Sequence, residues 1–160
     1  MKKLNFVLFG TALTLGLLLF SGCKKDDDTP SSGITHTGDK WNITSVDWNV
    51  VDQNLSGGGQ TTKSGTTANA GAFYLKSDGT GSYLYTVDAY KREGTFTYTV
   101  SGNSISITYI KQVIMPSFSQ TMVSYSGDKT DPDMTLSGSE TEQTSAKQFV
   151  LTCDFVLKKQ

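Results

Sequence analysis

The sequence predicts an all-β domain, an antiparallel up-and-down barrel of about eight strands. Three observations predict it. Apolar and polar residues alternate in short runs, turn residues separate those runs at hairpin spacing, and no helical period of useful length occurs beyond residue 38. Thr, Ser, Gly and Tyr are plentiful and only 3 prolines occur in 160 residues, a composition suited to strands and tight turns.

The clearest element is a hairpin. Phe96, Tyr98 and Val100 alternate with Thr95, Thr97 and Thr99, Ser101-Gly102-Asn103 turns the chain, and Ile105, Ile107 and Tyr109 alternate with Ser104, Ser106 and Thr108. A second hairpin precedes it. Phe73 and Leu75 lead into the turn Ser77-Asp78-Gly79-Thr80-Gly81, and Tyr83, Tyr85 and Val87 lead out. Asp88 to Arg92 is then expected to turn into the next strand. The last strand shows Phe149, Leu151, Cys153, Phe155 and Leu157 on one face. Its nine residues are enough to span the domain and pair with the first strand. In that first strand, Lys40 to Val51, the apolar parity switches after Ile43. The switch predicts a β-bulge near Ser45, or a strand apolar on both faces. Weaker strands are expected around 119–126 and 132–138. Closure of eight such strands removes the edges of the sheet. The Gly-, Thr- and Ser-rich stretch from Ser56 to Gly71 reads as a mobile loop or a poorly formed strand, and a lid over one barrel end is the functional alternative.

The N-terminus carries a different message. Lys2 and Lys3 precede an apolar run, Phe6 to Phe20, too short for a typical membrane span and laid out as an export signal. Phe20-Ser21-Gly22-Cys23 follows and resembles the lipobox of bacterial lipoproteins. That resemblance implies cleavage before Cys23 and acylation of its thiol, with palmitate-type chains. At about 0.8 kcal/mol per buried methylene, three chains anchor a protein permanently. Lys24-Lys25-Asp26-Asp27-Asp28 resembles the surface-export signal of Bacteroidetes-type lipoproteins and implies an outer-membrane protein facing the cell exterior. The expected divisions are a signal peptide (1–22), a lipidated Cys23 with a flexible acidic tether (23–37) and a barrel domain (38–160).

Composition and residue chemistry narrow the function. Without residues 1–22 the chain has 12 basic and 15 acidic residues, a formal charge of −3, so nucleic acid is not an expected partner. With Cys23 given to lipid, Cys153 has no disulfide partner and is expected to be a buried, inert thiol on the apolar face of its strand. The single histidine, His36, falls in the tether, so neither a metal site nor a nucleophilic triad is expected. Asp128, Asp131 and Asp133 read as a solvated turn, and Glu140 and Glu142 as surface charges. No cofactor, metal or catalytic residue is expected, an enzyme is not expected, and the chain is expected to be a monomer.

Gly38-Asp39-Lys40-Trp41, then Phe73-Tyr74-Leu75-Lys76-Ser77-Asp78-Gly79-Thr80-Gly81 and Gly94-Thr95-Phe96-Thr97-Tyr98, resemble the strand openings of lipocalin-like domains in secreted bacterial lipoproteins. The resemblance implies a barrel, plugged by Trp41 at its closed end, that binds a small apolar or amphipathic ligand. The ligand-binding candidates are Trp41, Phe73, Tyr83, Tyr85, Phe96, Tyr98 and Phe155. The alternative is a solid-cored module that meets a glycan or a partner protein through its loops, with Trp48, Tyr74 and Tyr90 as exposed aromatics.

Overall fold

A computed structural model describes the backbone of residues 33–112 and 120–160, with the side chains of 109–112 and 120–122 outside the description. The export signal, Cys23 and the tether as far as residue 32 lie outside the described residues. So does the inward position expected for the Tyr109 side chain.

Eight antiparallel strands follow one another: β1 (Asp39–Asn54), β2 (Gln60–Leu75), β3 (Thr80–Val87), β4 (Tyr90–Ser101), β5 (Ser104–Gln112), β6 (Gln120–Thr130), β7 (Asp133–Gln143) and β8 (Lys147–Lys159). Each pairs with the next, and β8 pairs with β1, so the sheet closes into a barrel. The closing seam is long. It runs from Trp41 opposite Lys159 to Asn54 opposite Lys147. The lower end of the barrel carries the start of β1, the turns after β2, β4 and β6, and the chain terminus.

Local chemistry explains the turns. Asp78 Oδ1 accepts hydrogen bonds from the Thr80 N–H at 2.9 Å and the Thr80 hydroxyl at 2.6 Å. These bonds hold the Asp78 carboxyl below its usual range. Gly79 takes φ +81 and Gly102 takes φ +58, a region that glycine enters without a steric cost. The parity switch in β1 is a bulge: the register with both neighbours shifts between Ile43 and Ser45. Opposite it on β2, Asn69 has φ 52 and Gly71 φ 144, and a Cβ at Gly71 would strike the Leu84 carbonyl.

Three expectations need correction, and one open reading is decided. Of the two readings of the glycine-rich stretch, loop or poorly formed strand, the strand holds beyond Gly59. From Gln60 to Ala70 it is strand, because β1 supplies hydrogen-bond partners as far as Gln53 opposite Gln60 whatever the side chains are. The turn into β4 is only Asp88-Ala89, and Arg92 lies within the strand. Val100 is 47% exposed, because it lies near the lower end of β4, two residues before Gly102, where the barrel opens into a groove that it lines. His36 is not free tether. Its Nδ1 lies 3.0 Å from the Ser82 hydroxyl and its Nε2 3.1 Å from Glu93 Oε1. Its ring stacks on Tyr74 at 5.0 Å, so the arm is strapped to the outer wall of β2–β4.

The core is aromatic. Phe73 sits at its centre, with ring centroids of Tyr83, Tyr85, Phe96, Tyr125 and Phe155 between 5.4 and 6.2 Å away. Offset and edge-on rings at such spacings gain about 0.5–1.5 kcal/mol each beyond their burial. Ile43, Ile105, Ile107, Leu136 and Leu157 complete the packing, all at most 1% exposed. Phe73→Ala is therefore expected to cost about 3–5 kcal/mol in chemical denaturation, the cost of a cavity in a filled core. A loss under about 1 kcal/mol would mean that the centre of the barrel has room to spare.

Candidate functional site

The structure places six of the seven ligand-binding candidates in that core. Trp41, Phe73, Tyr83, Tyr85, Phe96 and Phe155 are at most 3% exposed. Five of them touch one another as rings, while Trp41 closes the lower end. Tyr98 alone is half-buried and reaches the outside. The aromatics expected to be exposed are not free either. Trp48 is half-buried, lies on Gly65 and donates from Nε1 to the Thr67 hydroxyl at 3.1 Å. Tyr74 stacks on His36, and Tyr90 packs on Phe149 at 5.1 Å.

Above the rings, the interior holds charge. Glu140 and Glu142 are fully buried, a correction to their reading as surface residues. Both continue the inward parity of Met134 and Leu136 on β7. Facing them from β4 is Arg92, 3% exposed, with Nε donating to Glu140 Oε2 at 2.8 Å and Nη2 3.6 Å from Glu142 Oε1. The guanidinium carbon lies 5.3 Å from the Phe149 ring and 5.7 Å from the Tyr90 ring, in cation–π range. The Tyr85 and Tyr125 hydroxyls donate to Glu140 Oε1 at 2.6 and 2.7 Å. Burial pushes both phenols well above their usual range, and the Glu140 charge adds to it. Burial works against the Arg92 charge, but Glu140 and Glu142 outweigh it and raise its pKa. Cys153, buried among these groups, is pushed up to about 12 by burial first and Glu140 second, which leaves it an inert thiol.

Glu142 is the anomaly. Neither of its oxygens has a hydrogen-bond partner. Burial raises its pKa above 4.5, Arg92 opposes the rise, and Glu140 reinforces it. Among the described residues, no group of three or more His, Cys, Asp or Glu could hold a metal ion.

A concave feature with a mixed apolar and polar lining lies at the lower end. A groove of about 630 Å³ is bounded by Gly38, Asp39, Trp41, Leu75, Lys76, Ser77, Tyr98, Val100 and Lys129. Four elements build it: the start of β1, the β2–β3 turn and the ends of β4 and β6. Trp41 forms its floor. Lys129 Nζ and Lys159 Nζ lie 5.0 and 5.9 Å from the Trp41 ring centre. Both lysines are held by carboxylates: Lys129 by Asp131 at 2.8 Å, and Lys159 by Asp39 at 2.7 Å and Asp131 at 3.6 Å. Tyr98 forms one side and donates its hydroxyl to the Lys76 carbonyl at 2.6 Å. Burial first, then Asp39 and Asp78, raise its pKa. The groove thus sets apolar surface (Leu75, Tyr98, Val100) beside a rim of both charges (Asp39, Lys76, Lys129). Such a surface suits a molecule with an apolar part and a polar head.

Sequence reasoning found Trp41 and Tyr98 and missed Lys76, Val100 and Lys129. These lie on three elements and no local pattern joins them. Arg92, Glu140 and Glu142 were missed although strand parity, extended from Phe96 and Leu136, points all three inward.

No family model matches the chain, and no curated protein matches it. Among solved structures, the crystal structure of ywiB protein from Bacillus subtilis aligns over 70% of this chain and 92% of that one, with 12% identity and a TM-score of 0.27. A likeness that low carries no argument about fold or function.

The buried carboxylate gives a pH prediction. The folded state holds the Glu142 proton more tightly than the unfolded chain does. The resulting stability is complete below about pH 4.5 and is lost as pH rises through the raised, folded-state value. Glu142→Gln is expected to be more stable than wild type at neutral pH by roughly 1–3 kcal/mol. The gain should vanish in acid. Thermal unfolding from pH 4 to 8 checks this, and a difference that does not change with pH counts against it.

Proposed function

We propose that this chain is a lipid-anchored binding protein whose barrel takes a small amphipathic molecule in the groove at its lower end. The observation that carries the reading is the groove itself. Its volume, about 630 Å³, falls within the range of roughly 300–1,000 Å³ usual for small-molecule sites. It also combines apolar walls with charged groups at the rim. The ring-packed interior argues for a ligand at the barrel end rather than at its centre. The lipobox-like run to Cys23 supports acylation there, and the charged run behind it supports display on the outer face of the outer membrane. The resemblance to lipocalin-like domains supports the same class, a binder rather than an enzyme, although the ligand's position departs from an interior pocket.

One observation favours a second reading. A trough of about 560 Å³ on the outer wall of β5–β8 is lined by the hydroxyls of Ser106, Thr108, Ser124, Ser126, Ser137, Ser139 and Thr152. Such a surface would meet a polyhydroxylated partner such as a glycan.

The chain holds two tryptophans, so Trp48→Phe leaves Trp41 as the sole indole. With residues 24–160 of that variant, decanoate is expected to shift Trp41 emission saturably. Tyr98→Ala and Val100→Asp should each weaken the response by about tenfold, the effect of losing roughly 1.4 kcal/mol of contact. A response to a soluble oligosaccharide that Ser126→Ala and Ser137→Ala abolish, with none to decanoate, would favour the second reading. In cells, Cys23→Ser is expected to abolish palmitate labelling and membrane retention. Labelling that persists would remove the anchor from the proposal.

A further inference from the structure

The barrel wall is not evenly high. β2 pairs with β1 along its whole length, from Gln60 to Leu75, but with β3 only from Gly71 to Leu75. From Gln60 to Ala70 its other side has no partner among the described residues. The cause lies in the bulge and in the short β3. Asn69 and Ala70 together sit opposite Thr44, one residue more than the register needs, with positive φ at Asn69 and Gly71, and β3 itself ends at Val87, so the β2–β3 ladder stops at Gly71. The result is a β2 edge eleven residues long; β5 and β6 also part beyond Ile107 and Tyr125. Residues 60–64 are all exposed. Such an edge presents a row of N–H and C=O groups with no ladder of their own. Proteins usually blunt long edges with several charges or a proline. Here the stretch Gln-Thr-Thr-Lys-Ser-Gly-Thr-Thr-Ala-Asn-Ala has neither, apart from Lys63.

The geometry points to a second copy of this chain as the occupant, with the two β2 edges pairing antiparallel about a two-fold axis at Gly65. The segment is self-complementary in that register. Ser64 faces Thr66 and Thr62 faces Ala68, each pair occurring twice, and the left-handed backbone at Asn69 ends the regular ladder. Lys63, the one charge, falls opposite Thr67 and away from its own copy, so no like charges meet. Its ammonium is already directed to Asp88, 3.9 Å away within its own barrel. The small side chains on the outer face, Thr62, Ser64, Thr66 and Ala68, leave the backbones free to approach. The seven antiparallel pairs between Thr62 and Ala68 supply about six backbone hydrogen bonds, and a two-fold contact of this kind closes on itself without growing into a fibre. The pairing departs from the monomer expected from sequence and stands apart from the groove, which lies at the opposite end of the barrel.

The test uses the full chain in detergent micelles. Light scattering with the detergent mass subtracted is expected to give the mass of two chains, falling toward one on dilution. Thr62→Glu with Ala68→Glu sets carboxylates against each other on both sides of the axis and is expected to weaken association about tenfold. Circular dichroism and the unfolding midpoint should stay close to wild type. Ser64→Cys with Thr66→Cys is expected to give an interchain disulfide under mild oxidation, and Ser64→Cys alone far less. A single-chain mass at every concentration overturns the proposal. So does a dimer that the double glutamate variant leaves intact, or one cross-linked equally well by Ser64→Cys alone.

Discussion

The seam between β1 and β8 is the constraint on which the molecule rests. A β-sheet with one apolar face needs something to cover it, and a chain with no helix among its described residues has only the sheet itself. Pairing Trp41–Asn54 with Lys147–Lys159 rolls the sheet over its own side chains. The inward rows of all strands then meet across a space one ring wide. That is why Phe73 can touch rings from β3, β4, β6 and β8 at once. It is also why the seven aromatic and apolar residues most easily read as a ligand's surroundings become, for the most part, one another's surroundings. Eight strands enclose about the volume that large side chains can fill, and this sequence supplies enough of them.

A filled interior moves function to the ends and the outside. At the lower end, the residues that plug the barrel also shape the groove. Trp41 closes the core from below and carries two ammonium groups on its other side, and Asp39 and Asp131 tie those groups down. The upper half is built differently. One guanidinium faces two carboxylates among apolar walls, and only Glu140 is fully bonded, through Tyr85, Tyr125 and Arg92. Buried charges weaken a fold unless each is paired and hydrogen-bonded, and Glu142 shares the Arg92 charge with Glu140 and has no hydrogen bond. The barrel therefore carries its least stable chemistry near its upper mouth, on the same half where β2 parts from β3.

Much of the fold was legible in the sequence because strands have a period of two and hairpin turns need particular residues. The Phe96–Ile107 hairpin, the Asp78-Gly79 turn, the bulge near Ser45 and the pairing of first and last strands all follow from patterns within a few residues. The misreadings and the one open reading share a cause. Gln60–Ala70 has poor strand composition, yet a neighbouring strand decides its conformation. Arg92, Glu140 and Glu142 have surface chemistry, yet they occupy inward positions because their strands continue. His36 lies in a polar arm, yet Ser82, Glu93 and Tyr74 await it on the wall, 46 or more residues away for the two hydrogen bonds.

By itself, then, the sequence determined that the chain is a closed sheet of about eight strands, where most of those strands turn, and which residues form its core, since those follow from local alternation and steric preference. It also determined the residue, Cys23, on which the expectation of a membrane anchor rests. Only the tertiary structure decided that the core is packed by its own aromatics, that three charged side chains are sealed inside, that a groove opens beneath Trp41, and that one strand keeps a free edge. Each of these depends on which residues closure brings together from distant strands, and a one-dimensional pattern does not contain those meetings.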